Sequence, residues 1–272
     1  MAGYLLSSDA WQILLSRFLR PKSVVLDIGC GSGKMARCFT HHPHIKKFIG
    51  FDVIPESIEF CNQMLAPRVG PKFEFHYVDV VSKYYNPQGT IKPSELTFPA
   101  GTGSVDLAFG ISLFTHLFEE DARHYLREVR RVLGPAGVFL PSIQIKPAEG
   151  TRYSGDEVRI DVDPDYFVEM CDDAGLECLV RLGNAMGQYT MLFRPKQGEA
   201  VSTVVNVGGV KTEAQLAETA KPKPPGVPIP PNGGALTEET LRFNKQWADK
   251  EQVVDAVHPK DYIFWFVATH PE

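Results

Sequence analysis

Ten residues, VVLDIGCGSG from Val24 to Gly33, constrain this chain more than any other stretch: an apolar run, an acid, then three glycines at alternate positions. A continuous apolar run suits a strand covered on both faces of a parallel sheet. Glycines straight after it let the chain turn tightly and bring its backbone against a ligand. A helix is expected to begin near Lys34. Spacing separates the glycine motifs that could sit here. A phosphate-cradling loop needs G-x-x-x-x-G-K-[ST], but Ile28 stands five residues before Gly33 and Met35 follows Lys34, so that motif fails twice. A dinucleotide fingerprint needs G-x-G-x-x-G. Gly29, Gly31 and Gly33 give G-x-G-x-G, with Lys34 in the third glycine's place, which counts against NAD.

From residue 24 onward strand-like and helix-like segments alternate, the pattern of an α/β, doubly wound, mainly parallel sheet. Strands are expected at Val24–Asp27, Lys47–Asp52, Phe73–Val78, Val105–Phe109 and Val138–Leu140, with a final antiparallel pair at Cys178–Leu182 and Tyr189–Phe193. Helices are expected at Lys34–Thr40, from Pro55 through Leu65, at Glu119–Leu133, stopped by GPAG at 134–137, and at Asp163–Ala174. The N-terminal stretch MAGYLLSSDAWQILLSRFLR reads as an amphipathic helix and lacks the basic start of a signal peptide. Domain organisation follows from composition. Residues 1–195 form the α/β domain, 196–235 with KPKPPGVPIPPNGG a linker or strap, and 236–272 a helix and an apolar strand, DYIFWFVATH. That last segment is too apolar to hang in water, and it packs on its own domain or on a second copy, giving a homo-oligomer.

A chain of 272 residues, 43% hydrophobic and with net charge -5, can bury a full core and shows no electrostatic footprint for nucleic acid. No apolar run approaches a membrane span. The five cysteines are odd in number and form no C-x-x-C, so neither disulfides nor zinc are indicated, and a soluble cytoplasmic protein is expected. His41, His42 and His44 flank Pro43 and read as a solvated turn, not a metal site, and His76 reads as a surface residue of the third strand.

The glycine loop resembles the first motif of class I S-adenosylmethionine-dependent methyltransferases, a Rossmann-like fold with a seven-strand-type sheet. A later stretch carries NP-x-G, FP before the fourth strand, S-x-FTHL and RVL-x-x-A-G, and this resembles a bacterial subfamily of those enzymes often associated with glycan biosynthesis. The resemblance covers residues 24 to about 193 and weakens after Leu140. It implies S-adenosylmethionine as cofactor, held by Asp27, Gly29, Cys30, Gly31, Gly33, Asp52, Val53, Asp79, Val80 and Gly110. In that family the acid of the second strand takes the ribose hydroxyls, a place Asp52 matches. Asp79 matches the reader of the adenine amino group, with Val80 donating its backbone N–H. Since Asp27, Asp52 and Asp79 each end a predicted strand, all three are expected to point into one crevice.

His116 is the titratable side chain of the loop after the fourth strand, and an alcohol acceptor must lose a proton as it attacks, so His116 is the candidate general base; a helix cap or packing under the loop is the competing role. Tyr84, Tyr85 and Asn86 open a long loop, Ser82–Ser104, and are candidate acceptor contacts. Arg152, Tyr153 and Asp156 are expected to be exposed loop residues, and Trp11 to pack the N-terminal helix. The expected activity is O-methylation of a small molecule, a sugar or glycan. N-methylation, a peptide or lipid-linked acceptor, and a non-catalytic S-adenosylmethionine-binding or assembly protein are the alternatives.

Overall fold

Val25, Leu26 and Ile28 are fully buried because β1 (Ser23–Ile28) has a strand on each side and helices on both faces. The computed structural model describes residues 2–145, 150–185 and 187–196; the linker and C-terminal strand expected beyond Lys196 lie outside them. Beside β1 run β2 (Ile45–Asp52), β3 (Phe73–Tyr77), β4 (Val105–Gly110) and β5 (Leu133–Ile143), all parallel. Past a two-stranded hairpin, β6 (Tyr153–Asp156) and β7 (Arg159–Val162), the antiparallel strands β8 (Leu176–Ala185) and β9 (Gln188–Pro195) complete the sheet. Among the described residues the order is β3-β2-β1-β4-β5-β9-β8, the seven strands expected.

Alternate residues of the central strands feed two cores. Val25, Phe48, Leu107 and Phe109 pack with Trp11 and Leu15 of α1 (Ala2–Ser16) and Met35 and Phe39 of α2 (Lys34–Phe39). Leu26, Ile49, Ala108 and Phe139 pack with Leu126 and Val129 of α5 (Glu119–Val132) and Phe167 and Met170 of α6 (Pro164–Asp173). Each fully buried phenylalanine contributes roughly 1.5–3 kcal/mol by leaving water. The chain winds outward from β1 to β3 and then returns to β4 on β1's other side, so a crevice opens beyond the carboxyl ends of β1 and β4.

Three segments differ from expectation. The helix after β2 is α3 (Pro55–Phe60), a π turn at Cys61–Leu65 and α4 (Ala66–Val69). Pro67 offers no N–H to Gln63 and crowds its carbonyl, so the ladder widens just upstream. The GPAG segment does not stop α5 before a separate strand. It is a bulge inside β5, since Val105 pairs with Leu133 while Leu107 pairs with Val138. Gly137 is required there, because a Cβ would sit 2.7 Å from the Val105 carbonyl oxygen.

The third difference is the hairpin. Tyr153 and Asp156, expected in an exposed loop, belong to β6, and Asp156 Oδ1 closes the two-residue turn by accepting from Val158 N at 2.9 Å. Ile160 and Val162 are buried, Ile160 N donates to Thr115 O at 2.8 Å, and Tyr153 Oη donates to Leu117 O at 2.5 Å. The hairpin is thereby seated on the loop that follows β4.

Candidate functional site

The glycine loop turns as its composition requires: Gly29, Gly31 and Gly33 have φ of 74°, 52° and 77°, a left-handed region closed to most side chains. Gly29 and Cys30 donate to the Phe51 carbonyl, both at 3.0 Å, which ties the loop to the end of β2. At Gly33 a Cβ would also overlap Leu65 of the π turn. Gly33→Ala is therefore expected to cost about 2 kcal/mol, combining left-handed strain with repacking of Leu65. A urea unfolding midpoint unchanged from the parent protein would contradict this.

Asp52 ends β2 and is nearly buried. Its Oδ2 accepts from Gly31 N at 2.7 Å and its Oδ1 from Ile54 N at 2.9 Å. The backbone N–H of Val53 also acts on the carboxylate, which has about four lone-pair positions and so keeps room for a further donor. Burial raises its carboxyl pKa against the lowering effect of those N–H groups. It opens on a cavity of about 270 Å³ that also meets Gly29, Val53, Val80, Tyr85 and His116.

Of the three acids expected in the crevice, the structure brings Asp52 alone to the cavity wall. Asp27 lies behind the glycine loop, 3% exposed, and its Oδ2 has no hydrogen-bond partner among the described residues. Burial above all, with the charge of Asp52 adding, raises its pKa well above the usual carboxylate value. A neutral folded carboxyl stabilises the protein below the unfolded pKa near 3.8, and that contribution is lost as pH rises from there toward the folded value. Asp27→Asn is expected to flatten this decline. Urea midpoints measured from pH 4 to 8 that fall equally in both proteins would contradict it.

Asp79 sits past β3 with its carboxylate engaged: Tyr77 Oη donates at 2.7 Å and Thr90 Oγ1 at 2.6 Å, and these bonds lower its pKa. It does not line the cavity. Val80 does, but as an apolar wall, because its N–H already donates to Val78 O at 2.8 Å. Cys30 is buried beside Gly50, and its thiol and that of Cys61 donate to the Gly31 carbonyl at 3.6 and 3.5 Å, which shapes the loop from behind. Gly31 and Gly33 set the turn without facing the cavity. Gly110 makes room for Leu113, whose side chain packs on both Gly110 and Gly29. His42 and His44 make an edge contact in a turn, and the described residues hold no metal-binding group of His, Cys, Asp or Glu.

His116 faces the cavity from the loop after β4. Its Nδ1 is 2.8 Å from the Glu157 carbonyl oxygen, and Tyr85 Oη lies 3.2 Å from Nδ1 and 3.5 Å from Nε2. Tyr85 lines the cavity, Tyr84 is exposed outside it, and Asn86 is buried and structural, its Nδ2 donating to Val80 O and Tyr77 Oη at 3.0 Å. Ser112 has a left-handed φ of 59°. Its N–H donates to Ser142 Oγ at 2.8 Å and its hydroxyl to Gln188 Oε1 at 3.1 Å, bonds that hold the strained turn in place.

Sequence reasoning missed Glu157 and Asp121. Glu157 is the first turn residue of the β6–β7 hairpin, and its carboxylate accepts from Ser82 Oγ at 2.8 Å and Tyr84 N at 3.3 Å. The signal available was Gly155-Asp156 just ahead of the turn, with Asp156 placed to cap it. Asp121 lies in the first turn of α5, where an acid suits the helix dipole, and it faces the cavity. The cavity's acidic side chains are Asp52, Asp121 and Glu157, and among the described residues no lysine or arginine lines it.

Residues 26–140 match the family described as Methyltransferase domain, a stretch from β1 into β5 that excludes the hairpin. Two curated relatives, the small RNA 2'-O-methyltransferases of Rattus norvegicus and Mus musculus, are 26% identical over 129 residues, or 47% of this chain. The chain spans 31% of their length. Among solved structures, a 1,6-didemethyltoxoflavin-N1-methyltransferase of Burkholderia thailandensis, with S-adenosylhomocysteine bound, has a TM-score of 0.52 at 20% identity, covering 71% of this chain and 79% of its own. The CcbJ methyltransferase of Streptomyces caelestis has a TM-score of 0.52 at 13% identity, over 70% and 90%. The [4+2]-cyclase SpnF has 0.54 at 16%, over 70% and 81%. These likenesses are of fold, and the fold is the Rossmann-like fold of S-adenosylmethionine-dependent methyltransferases. Among the described residues no helix is long and apolar enough to cross a membrane.

Proposed function

We propose that this chain is a class I S-adenosylmethionine-dependent methyltransferase that methylates a hydroxyl of an uncharged small molecule, a sugar or glycan unit. The observation that carries the cofactor half is Asp52, nearly buried beside bare glycine backbone, with acceptor capacity left on its carboxylate and a cavity in front of it. Two adjacent ribose hydroxyls fit that carboxylate. When bound, S-adenosylmethionine supplies the methyl group on a sulfonium that is already a strong leaving group. Apolar Val53, Ile54 and Val80 flank Asp52 and suit a base ring.

The acceptor half is inferred from charge and from His116. A phosphorylated acceptor would meet Asp52, Asp121 and Glu157 with no lining cation, and like charges at close quarters cost several kcal/mol. The curated relatives are named for RNA, yet this chain's net charge of -5 and its acidic lining favour a neutral partner. His116 lies at the cavity wall, placed to take the proton an attacking hydroxyl releases. Leu113, Leu117 and Phe118 line the cavity beside it with apolar surface.

A panel of neutral sugars, the same sugars phosphorylated, and an RNA oligonucleotide, each incubated with S-adenosylmethionine, tests this reading. Neutral acceptors are expected to give S-adenosylhomocysteine at least about tenfold faster than their phosphates. Turnover confined to RNA or to the phosphates would overturn the acceptor assignment.

A further inference from the structure

The contact between His116 Nδ1 and the Glu157 carbonyl oxygen, at 2.8 Å, decides more than the ring's position. A carbonyl oxygen can only accept, so Nδ1 must carry the hydrogen. In the neutral ring the lone pair is then on Nε2, the nitrogen a general base needs free. Tyr85 Oη lies 3.5 Å from Nε2 and covers the ring edge-on, with centroids 5.3 Å apart.

That carbonyl belongs to the tip of a two-stranded hairpin, outside the seven-stranded sheet and outside the region that matches the methyltransferase family. The Asp156–Arg159 pair and the bond from Val158 N to Asp156 Oδ1 close the tip within the hairpin but do not tie it to the site. Here the Glu157 carboxylate anchors it by accepting from Ser82 Oγ at 2.8 Å and from Tyr84 N at 3.3 Å. The same residue therefore grips the loop that carries Tyr85 with its side chain and fixes the imidazole with its main chain.

We infer that Glu157 is the positioning residue of this site: its carboxylate pins the hairpin tip to Ser82 and Tyr84, so that its carbonyl holds His116 as the Nδ1–H tautomer, with the basic lone pair on Nε2 beside the Tyr85 hydroxyl. This deepens the proposed role of His116 and rests on it. The hydroxyl proton goes to Nε2, the ring becomes a cation hydrogen-bonded to the Glu157 carbonyl, and solvent takes the proton afterwards.

The tautomer can be read without any acceptor. In full-length protein labelled with ¹⁵N at histidine, long-range proton–nitrogen correlation distinguishes the protonated ring nitrogen from the bare one by chemical shift. At a pH where the ring is neutral, His116 is expected to be protonated at Nδ1. Glu157→Ala and Ser82→Ala, which each release the tip, should bring in the Nε2–H form, while Glu157→Gln, which keeps an acceptor for Ser82 and Tyr84, should retain the parent pattern. An Nε2–H ring in the parent protein, or an unchanged Nδ1–H ring in both Glu157→Ala and Ser82→Ala, overturns the inference. Calorimetry with S-adenosylhomocysteine on the same samples scores the cofactor reading separately, since absent binding sinks that reading whatever the tautomer.

Discussion

Replacing Asp52 with alanine is expected to weaken S-adenosylhomocysteine binding by about 100-fold or more. The carboxylate would offer two hydrogen bonds to ribose hydroxyls, and bonds to a charged group are worth about 1.5–3 kcal/mol each, so their loss spans roughly two to four decades in Kd. A second effect adds to the first. Gly31 N and Ile54 N lose their acceptor, and the glycine loop loses the tie that presents its backbone to the cavity. Asp79→Ala is the informative contrast. Its carboxylate is held by Tyr77 and Thr90 and does not face the cavity, so its affinity change should stay within about fivefold, the loss of less than one such bond. Titration calorimetry on the two variants distinguishes the roles. Equal losses at both positions would show that Asp79 shares the cofactor contact.

His116→Ala is expected to lower kcat by about 10²- to 10⁴-fold, the range a positioned base supplies. Affinity for S-adenosylhomocysteine should be almost unchanged, because Asp52 and the glycine loop do not depend on the imidazole. A split of that kind, with kcat falling and cofactor binding intact, marks a group that acts on the acceptor proton. A loss of less than about threefold would mean that alignment in the cavity supplies nearly all of the acceleration, and His116 would then be packing under the loop.

The sheet was legible because its strands are punctuated. Val24–Asp27 is a doubly covered strand with glycines behind it, and periodicity, Pro55 and Gly175 placed most other boundaries within two residues. Helix-breaking residues were harder to read. Pro67 widened the helix into a π turn just upstream, and Gly134 and Gly137 served a bulge instead of a cap because pairing with β4 continues through them. At the site, the strand-end position of Asp52, together with the family resemblance, pointed to the crevice, and Asp52 lines the cavity. Asp27 and Asp79 occupy matching positions in the sequence, but the side chain of one turns behind the loop and that of the other is taken by its neighbours. Such choices depend on partners far along the chain. Glu157 was invisible for the same reason: a two-residue hairpin after β5 says nothing, by itself, about a histidine 41 positions earlier.

In the proposed reading the crevice beyond β1 and β4 holds S-adenosylmethionine. Titration calorimetry of the purified full chain with S-adenosylhomocysteine, and separately with NAD, tests it most directly. Saturable one-to-one binding of S-adenosylhomocysteine, with no heat of binding from NAD, is the predicted result. Binding of NAD, or no binding of S-adenosylhomocysteine, would contradict it.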